Sequence, residues 1–403
     1  MKKYIKHILC ISAFTTLYSC SKDAVKPEPI PDAEQTIAIK LAADFAVARY
    51  NVVLIDPEVT IENSNGVVPQ YKWTVKVTGK DGVLKDSVIC DTKTLQFIAP
   101  KANDYTVNFT VSSGKVTKRA ATKVKVSETN KTYNSKAWSL VDFFPAPGFS
   151  NDGLGFTDKS ALLSEMQSNL DNGDAIVLGT FGGYVVTKFD HTVINAYAAR
   201  DFIVQMSQNS GSIKYAPAGI FVAYDANKNG IADENEWYEI AGSEYHKSTT
   251  VKNYEMTYYK PDPAKLPVPG QAAWEFDTSY LKYTDNKNGA GAITKTLKFR
   301  RWNYYPQWLG DSYTLKGTKV YVPVKDVSDG AGTSFNVGTF DWGYGGIKDP
   351  SIDISWAVDA NGKKVHLPGI DFVKVYVLTS TAIGASDLLT SSFEESRDLN
   401  FYK

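Results

Sequence analysis

The chain has 403 residues, 43% of them hydrophobic and 13% aromatic, with 44 basic against 44 acidic side chains. That length and apolar content suffice for two or three packed domains and exclude a disordered chain, and balanced charge with no clustered basic face excludes nucleic acid as a partner. The aromatic residues (24 Tyr, 19 Phe, 8 Trp) sit among short β-branched runs broken by Gly, Asn, Asp and Pro, which predicts an all-β protein.

Residues 1–19 read as a signal peptide: Lys2, Lys3 and Lys6 precede an apolar run, Ile8 to Leu17, too short to span a bilayer. The run ends in Leu17-Tyr18-Ser19-Cys20, which resembles a bacterial lipobox, although Tyr18 is unusual at its position. Cleavage before Cys20 and diacylation of its thiol would leave residues 20–33, polar and proline-rich, as a lipidated tether, with the membrane as a partner through that anchor. The alternative is an ordinary secreted protein cleaved nearby. Loss of residues 1–19 removes three lysines and no acid, so the mature chain carries a net charge of −3. Once Cys10 has left with the signal and Cys20 carries lipid, Cys90 stands alone and is expected to be a small buried hydrophobe.

From residue 34 to 127 strand-like runs follow one another: 51–55, 70–77, 83–90, 95–98, 105–111 and 116–126. Tyr71-Lys-Trp-Thr-Val-Lys-Val77 alternates, as a half-buried strand must, and the count fits a two-sheet sandwich of about 90 residues. Tyr71-Lys-Trp73 and Ala99-Pro-Lys-Ala-Asn-Asp-Tyr-Thr-Val107 resemble a PKD or Ig-like module, a type that typically acts as a spacer; PKD domains usually have Gly where Asp104 stands, and the resemblance covers the module type and implies no ligand.

Residues 128–135 are polar and read as a linker, and residues 136–403 as a larger, jelly-roll-like β-sandwich surface domain with one short helix. That helix is predicted over 157–172, with Thr157 or Asp158 as cap, Leu162, Leu163, Met166 and Leu170 on one face and Gly173 as its stop. The remaining strand candidates are 175–178, 184–189, 202–206, 254–259, 296–299, 319–324, 352–357 and 372–378.

Within this domain, strand-like Gly219 to Tyr224 and Trp237 to Ala241 flank a polar segment spaced as a calcium loop. Asp225, Asn227 and Asn229 hold positions 1, 3 and 5, Gly230 position 6, Ile231 position 7 with its carbonyl, Asp233 position 9 and Glu236 position 12. Calcium takes six to eight hard oxygens, and alternate short side chains converge only if the backbone turns sharply at the glycine. The flanks predict strands, so this is no EF-hand, and a plain hairpin turning at Asn229-Gly230 is the competing reading.

Further on, Asp285-Asn-Lys-Asn-Gly289 and Asp359-Ala-Asn-Gly362 read as polar turns. Trp302, Tyr304, Tyr305 and Trp308 could form an aromatic platform for a sugar or planar ligand, or equally fill a core. Asp190-His191 reads as a structural hydrogen bond rather than half of an acid-base pair. No nucleophile elbow, phosphate loop or zinc-helix motif is present, so the chain is not expected to be an enzyme.

Several stretches occur in a recurring order: Gly179-Thr-Phe-Gly-Gly-Tyr-Val-Val186 with Phe189-Asp-His191, the Asp225 loop with Trp237-Tyr-Glu-Ile-Ala-Gly-Ser-Glu244, Tyr304-Tyr-Pro-Gln-Trp308 with Asp311-Ser-Tyr-Thr-Leu315, and Ser351 to Asp359 with Leu367 to Val375. Together they resemble a family of predicted cell-surface lipoproteins of Bacteroidetes that often carry a PKD-like module in front. The resemblance implies an outer-membrane, surface-exposed location and association with nutrient uptake, including an outer-membrane transporter as partner. The family pattern is one residue shorter between Asp233 and Trp237, which leaves Glu234 or Glu239 as alternatives to Glu236 for closing the loop. The resulting expectation is a lipid-anchored protein whose calcium-stabilised sandwich binds an extracellular glycan or nutrient. The alternatives are a structural or adhesive component and a glycoside hydrolase with dispersed carboxylates.

Overall fold

The computed structural model describes residues 34–78, 83–148, 155–196, 199–209 and 214–401; the expected signal peptide, the tether and Cys20 lie outside the described residues. The fold is all-β: an N-terminal Ig-like sandwich is followed by a larger jelly-roll-like sandwich with one α-helix among the described residues.

The first sandwich contains β1 (Thr36–Lys40), β2 (Asp44–Ala48), β3 (Val53–Ile55), β4 (Glu58–Glu62), β5 (Gln70–Thr78), β6 (Leu84–Cys90), β7 (Leu95–Phe97), β8 (Asn103–Ser113) and β9 (Val116–Ser127). One sheet runs β2-β9-β8-β5-β6, with β2 parallel to β9 and the other pairs antiparallel. The short pairs β1–β4 and β3–β7 pack their apolar residues onto it. Alternation makes the core: Val107, Phe109 and Val111 of β8 point inward while Asn108 and Thr110 do not. Trp73 is fully buried against Phe109, and its indole N–H donates to the Thr92 carbonyl at 3.1 Å. Cys90 is buried and free, as expected of a small hydrophobe.

The second part contains β10 (Ser139–Phe144), α1 (Lys159–Asn172), β11 (Ile176–Val177), β12 (Tyr184–Ile194), β13 (Phe202–Met206), β14 (Ala218–Ala223), β15 (Trp237–Ile240), β16 (Val251–Tyr259), β17 (Glu275–Asp285) and β18 (Ala290–Thr296). It continues with β19 (Ser312–Lys319), β20 (Val324–Asp326), β21 (Phe335–Val337), β22 (Ser351–Ile352), β23 (Ala357–Val358), β24 (Gly369–Val377) and β25 (Ser392–Asp398). Helix α1 follows its sequence signals. Asp158 accepts the Ala161 N–H at 2.9 Å, Gly173 takes the left-handed conformation at φ 76°, and Leu162, Met166 and Leu170 are buried.

A six-stranded sheet, β10-β12-β24-β14-β15-β23, and a four-stranded sheet, β11-β25-β13-β22, enclose the main core, to which α1 adds its apolar face. The six-stranded sheet meets a further sheet, β18-β17-β16-β19, through a second core rich in tyrosine, including Tyr254, Tyr258, Tyr304, Tyr305 and Tyr313. Strand β24 therefore has packing on both faces and is buried along nearly its whole length.

Three expected strands are corrected. Residues 297–299 form a 3-10 turn after β18. Residues 320–323 separate β19 from β20, where Pro323 has no N–H to give a ladder. Residues 354–356 form another 3-10 turn, begun by Asp353, whose Oδ1 accepts the Ser355 N–H at 2.9 Å. The linker is docked: Tyr50 and Ile98 of the first sandwich pack on Ile194 with Val52 and Tyr133, and the Asn134 N–H donates to Asp190 Oδ2 at 2.9 Å.

Candidate ligand cleft and calcium loop

The expected hairpin forms: β14 and β15 pair with Phe221 opposite Glu239, Val222 opposite Tyr238 and Ala223 opposite Trp237. Successive side chains of a strand face opposite ways, so this register sorts them. Ile220, Val222 and Ile240 enter the main core, whereas Phe221, Trp237 and Glu239 face the other side. On β24, Lys374 lies opposite Phe221, so Lys374, Phe221, Glu239 and Val358 form one row across the sheet.

This row floors a cleft of about 500 Å³. Its other wall comes from β16 and β19. The register slips between Val251 and Tyr254, and Asn253 adopts a positive φ of 51°, a bulge that turns Lys252 and Asn253 into the cleft. Tyr245, Glu255, Lys316 and Thr318 complete the lining with Asp359 of a nearby turn.

Glu239 sits at the floor with both oxygens engaged, Oε2 accepting the Thr318 hydroxyl at 2.7 Å and Oε1 the Tyr376 phenol at 2.9 Å. Burial raises its pKa above the ordinary carboxylate value, while those two hydrogen bonds and the charge of Lys252 pull the other way. Tyr376 reaches it because two glycines flank its ring. A Cβ at Gly219 would come within 2.4 Å of the ring and one at Gly317 within 2.6 Å.

Above the hairpin, the polar loop is closed by its own side chains. Asp225 is buried; its Oδ1 accepts the Asn229 N–H at 3.0 Å and its Oδ2 the Gly230 N–H at 2.9 Å, with Gly230 at φ 84°. The amide groups of Asn227 and Asn229 converge on Asp233 Oδ2, at 2.7 and 3.1 Å. Glu236 is buried, its Oε1 accepting the Ala226 N–H at 2.9 Å and its Oε2 the Asp233 N–H at 3.1 Å. It therefore ties the ends of the loop together by main-chain bonds and, in this conformation, does not present a free bidentate carboxylate as a closing ligand. The two alternatives lie elsewhere in this conformation: Glu234 is exposed and lines the cleft with Glu239, which accepts from Thr318 and Tyr376.

Among the described residues no three Asp, Glu, His or Cys side chains are gathered as a metal cluster. A calcium ion here would draw on the oxygens of Asp225, Asn227, Asn229 and Asp233 and on the Ile231 carbonyl, a mixed donor set that suits a hard cation. In this conformation both amides donate to Asp233, while the Asn227 and Asn229 side-chain oxygens accept the Asn229 and Ile231 N–H groups, so these donors are engaged within the loop.

The aromatic platform is corrected. Tyr304 and Tyr305 are buried, at 0% and 1% exposure, and pack in the tyrosine-rich core, while Trp308 is half-buried against the main core. Trp302 alone is open, at 59% exposure. The chain runs through successive turns and bends over residues 300–309 rather than extending as a strand, so two neighbouring tyrosines can both turn inward. Asp285 and Asp359 are turn residues as read: each accepts two main-chain N–H groups, from Lys287 and Gly289 and from Asn361 and Lys363.

His191 is structural. Its Nδ1 meets Asp190 at 2.8 Å and its Nε2 meets Asp398 at 3.0 Å, and Tyr50 packs edge-on at 4.9 Å. Burial by itself would depress its pKa, but the bonds to Asp398 and Asp190 outweigh that and hold it above the ordinary value.

No protein-family model matches the chain, and no curated protein sequence matches it. Among solved structures, a likeness is found to the three N-terminal domains of the bacteriophage RB49 highly immunogenic outer capsid protein (Hoc). It has 11% identity and a TM-score of 0.17, and covers 78% of this chain and 70% of that one.

Sequence reasoning missed the cleft. Trp237 and Glu239 alternate visibly with Tyr238 and Ile240, but Lys252, Lys316 and Lys374 come from three other strands and leave no local mark. It also missed Asp371, which accepts the Asp225 N–H at 2.8 Å across 146 residues of chain and so anchors the loop to β24.

Proposed function

We propose that this is a lipid-anchored surface protein whose C-terminal sandwich binds an extracellular saccharide in the cleft beside the β14–β15 hairpin. The observation that carries the reading is the composition of the cleft: the side chains of Trp237, Phe221 and Tyr245 stand among polar groups able to accept and donate hydrogen bonds. Sugars are recognised in this way, with an apolar ring face against an aromatic side chain and hydroxyls against fixed polar partners. The hairpin that supplies Trp237 also carries the proposed calcium loop, so an ion there would steady one wall of the cleft.

Binding without hydrolysis is the better reading of the carboxylates. Glycoside cleavage takes two cooperating acids. Here Glu239 is tied to two hydroxyls, Glu255 to Lys316 at 2.9 Å, and Asp359 to its own turn. Of the four cleft carboxylates only the exposed Glu234 lacks such an engagement, and it has no second free acid to work with.

The test is a glycan array probed with the soluble mature protein and with Trp237→Ala. Retention of a saccharide class by wild type and its loss in the variant supports the proposal; no retention of any saccharide removes it. Anchoring is tested separately. Wild type should partition with membranes and Cys20→Ala should not, and equal partitioning removes the lipid anchor.

A further inference from the structure

The charged groups of the cleft are unequally engaged. Three lysines line it, Lys252, Lys316 and Lys374, with the carboxylates Glu234, Glu239, Glu255 and Asp359. Lys316 pairs with Glu255 at 2.9 Å across the β16–β19 register. Asp359 serves its turn, Glu239 accepts two hydroxyls, and Glu234 is exposed.

That leaves two cations. Lys252 holds its ammonium 3.7 Å from the centroid of the Tyr245 ring, and Lys374 holds its own 4.0 Å from that of Tyr184. Among the described residues neither has a hydrogen-bond or ion-pair partner. Lys374 is half-buried in the middle of the sheet, and burial lowers its pKa against the weaker opposing pull of Asp142, which is itself bonded to Tyr184 and Lys159. A ring face holds an ammonium in place without neutralising it. Lys252 is exposed and its charge acts on Glu239, so Lys374 is the cation withdrawn from water; that withdrawal is costly, and a ligand that brings a counter-charge recovers the cost on binding.

Resting on the saccharide reading above, we infer that the ligand is an acidic saccharide whose ring carries an anionic substituent, carboxylate or sulfate, received between Lys252 and Lys374. The aromatic side chains take the sugar face, and the two ammonium groups take the anion. An ammonium is a compact point charge and accepts either anion, so the array must separate the two sources.

The experiment measures binding of the soluble mature protein to uronate-bearing oligosaccharides, to their carboxyl-reduced neutral counterparts and to sulfated oligosaccharides. Wild type, Lys374→Met and Lys252→Met are compared, with melting temperature as the control for folding. The expected result is that one acidic class binds at least ten-fold more tightly than its neutral counterpart, and that each variant loses that preference while melting within about two degrees of wild type. Methionine keeps most of the lysine stem, so packing is little altered. The inference is overturned if neutral and acidic forms bind alike, or if both variants keep the preference. Absence of binding to every member, neutral and acidic, overturns the saccharide reading itself.

Discussion

The phenol of Tyr376 donates to Glu239 Oε1 at 2.9 Å, joining two residues 137 positions apart. The bond exists because Gly219 on β14 and Gly317 on β19 leave room for the ring between the two sheets. It fixes the one carboxylate at the cleft floor.

Replacing Tyr376 by Phe removes that donor and leaves the carboxylate with the Thr318 hydroxyl alone. The expected cost is about 1–3 kcal/mol at neutral pH, the usual penalty for an unsatisfied buried polar group. Glu239 already has a raised pKa, and loss of a bond that lowers it raises it further. A carboxyl group raised in the folded state favours folding below its unfolded value, and that contribution is lost as pH rises through the folded value. The deficit of the variant should therefore shrink as pH falls from 7 toward 4.5. Urea unfolding at both pH values decides; an equal deficit would mean that only packing was lost.

Calcium should raise the melting temperature of wild type by a few degrees over excess EDTA. An ion at about a millimolar, with a dissociation constant ten- to hundred-fold lower, contributes roughly 1.4–2.7 kcal/mol. Asp225→Ala should melt lower even in EDTA, because Asp225 holds the N–H groups of Asn229 and Gly230. The diagnostic is the response to calcium, which the variant should lack. A response of equal size in both proteins, or in neither, leaves a polar hairpin.

The junction between the sandwiches should weaken with rising pH. His191 has a folded pKa above the ordinary histidine value of 6.5, so its stabilising charge is fully present below about 6.5 and is lost as pH rises through the higher folded value. Thermal unfolding between pH 6 and pH 9 should show a decline that His191→Gln abolishes. An unchanged decline in the variant would place its cause elsewhere.

Trp302→Ala should change stability by no more than about 0.5 kcal/mol, as an exposed residue does, and Tyr304→Ala should cost about 3–5 kcal/mol, as a buried aromatic does. Chemical denaturation of the two variants measures this. Comparable small effects would place Tyr304 outside the core.

The periodic part of the molecule was legible in the sequence. Strand alternation, the caps of α1 at Asp158 and Gly173, the hairpin around the Asp225 loop and the turns at Asp285 and Asp359 follow from residues within a few positions of one another. Backbone geometry and local hydrogen bonding determine such features without the rest of the chain. Tertiary structure alone decided which aromatics are core and which are surface. Tyr304 and Tyr305 are buried because a third sheet closes over them, and nothing in their neighbourhood announces that sheet. It also decided the cleft, where Lys374, Phe221 and Glu239 align only through the register of β24, β14 and β15, and Lys252 enters only through a bulge in β16. Registers between strands far apart in sequence are set by the packing of whole faces against each other, and that information belongs to no single segment.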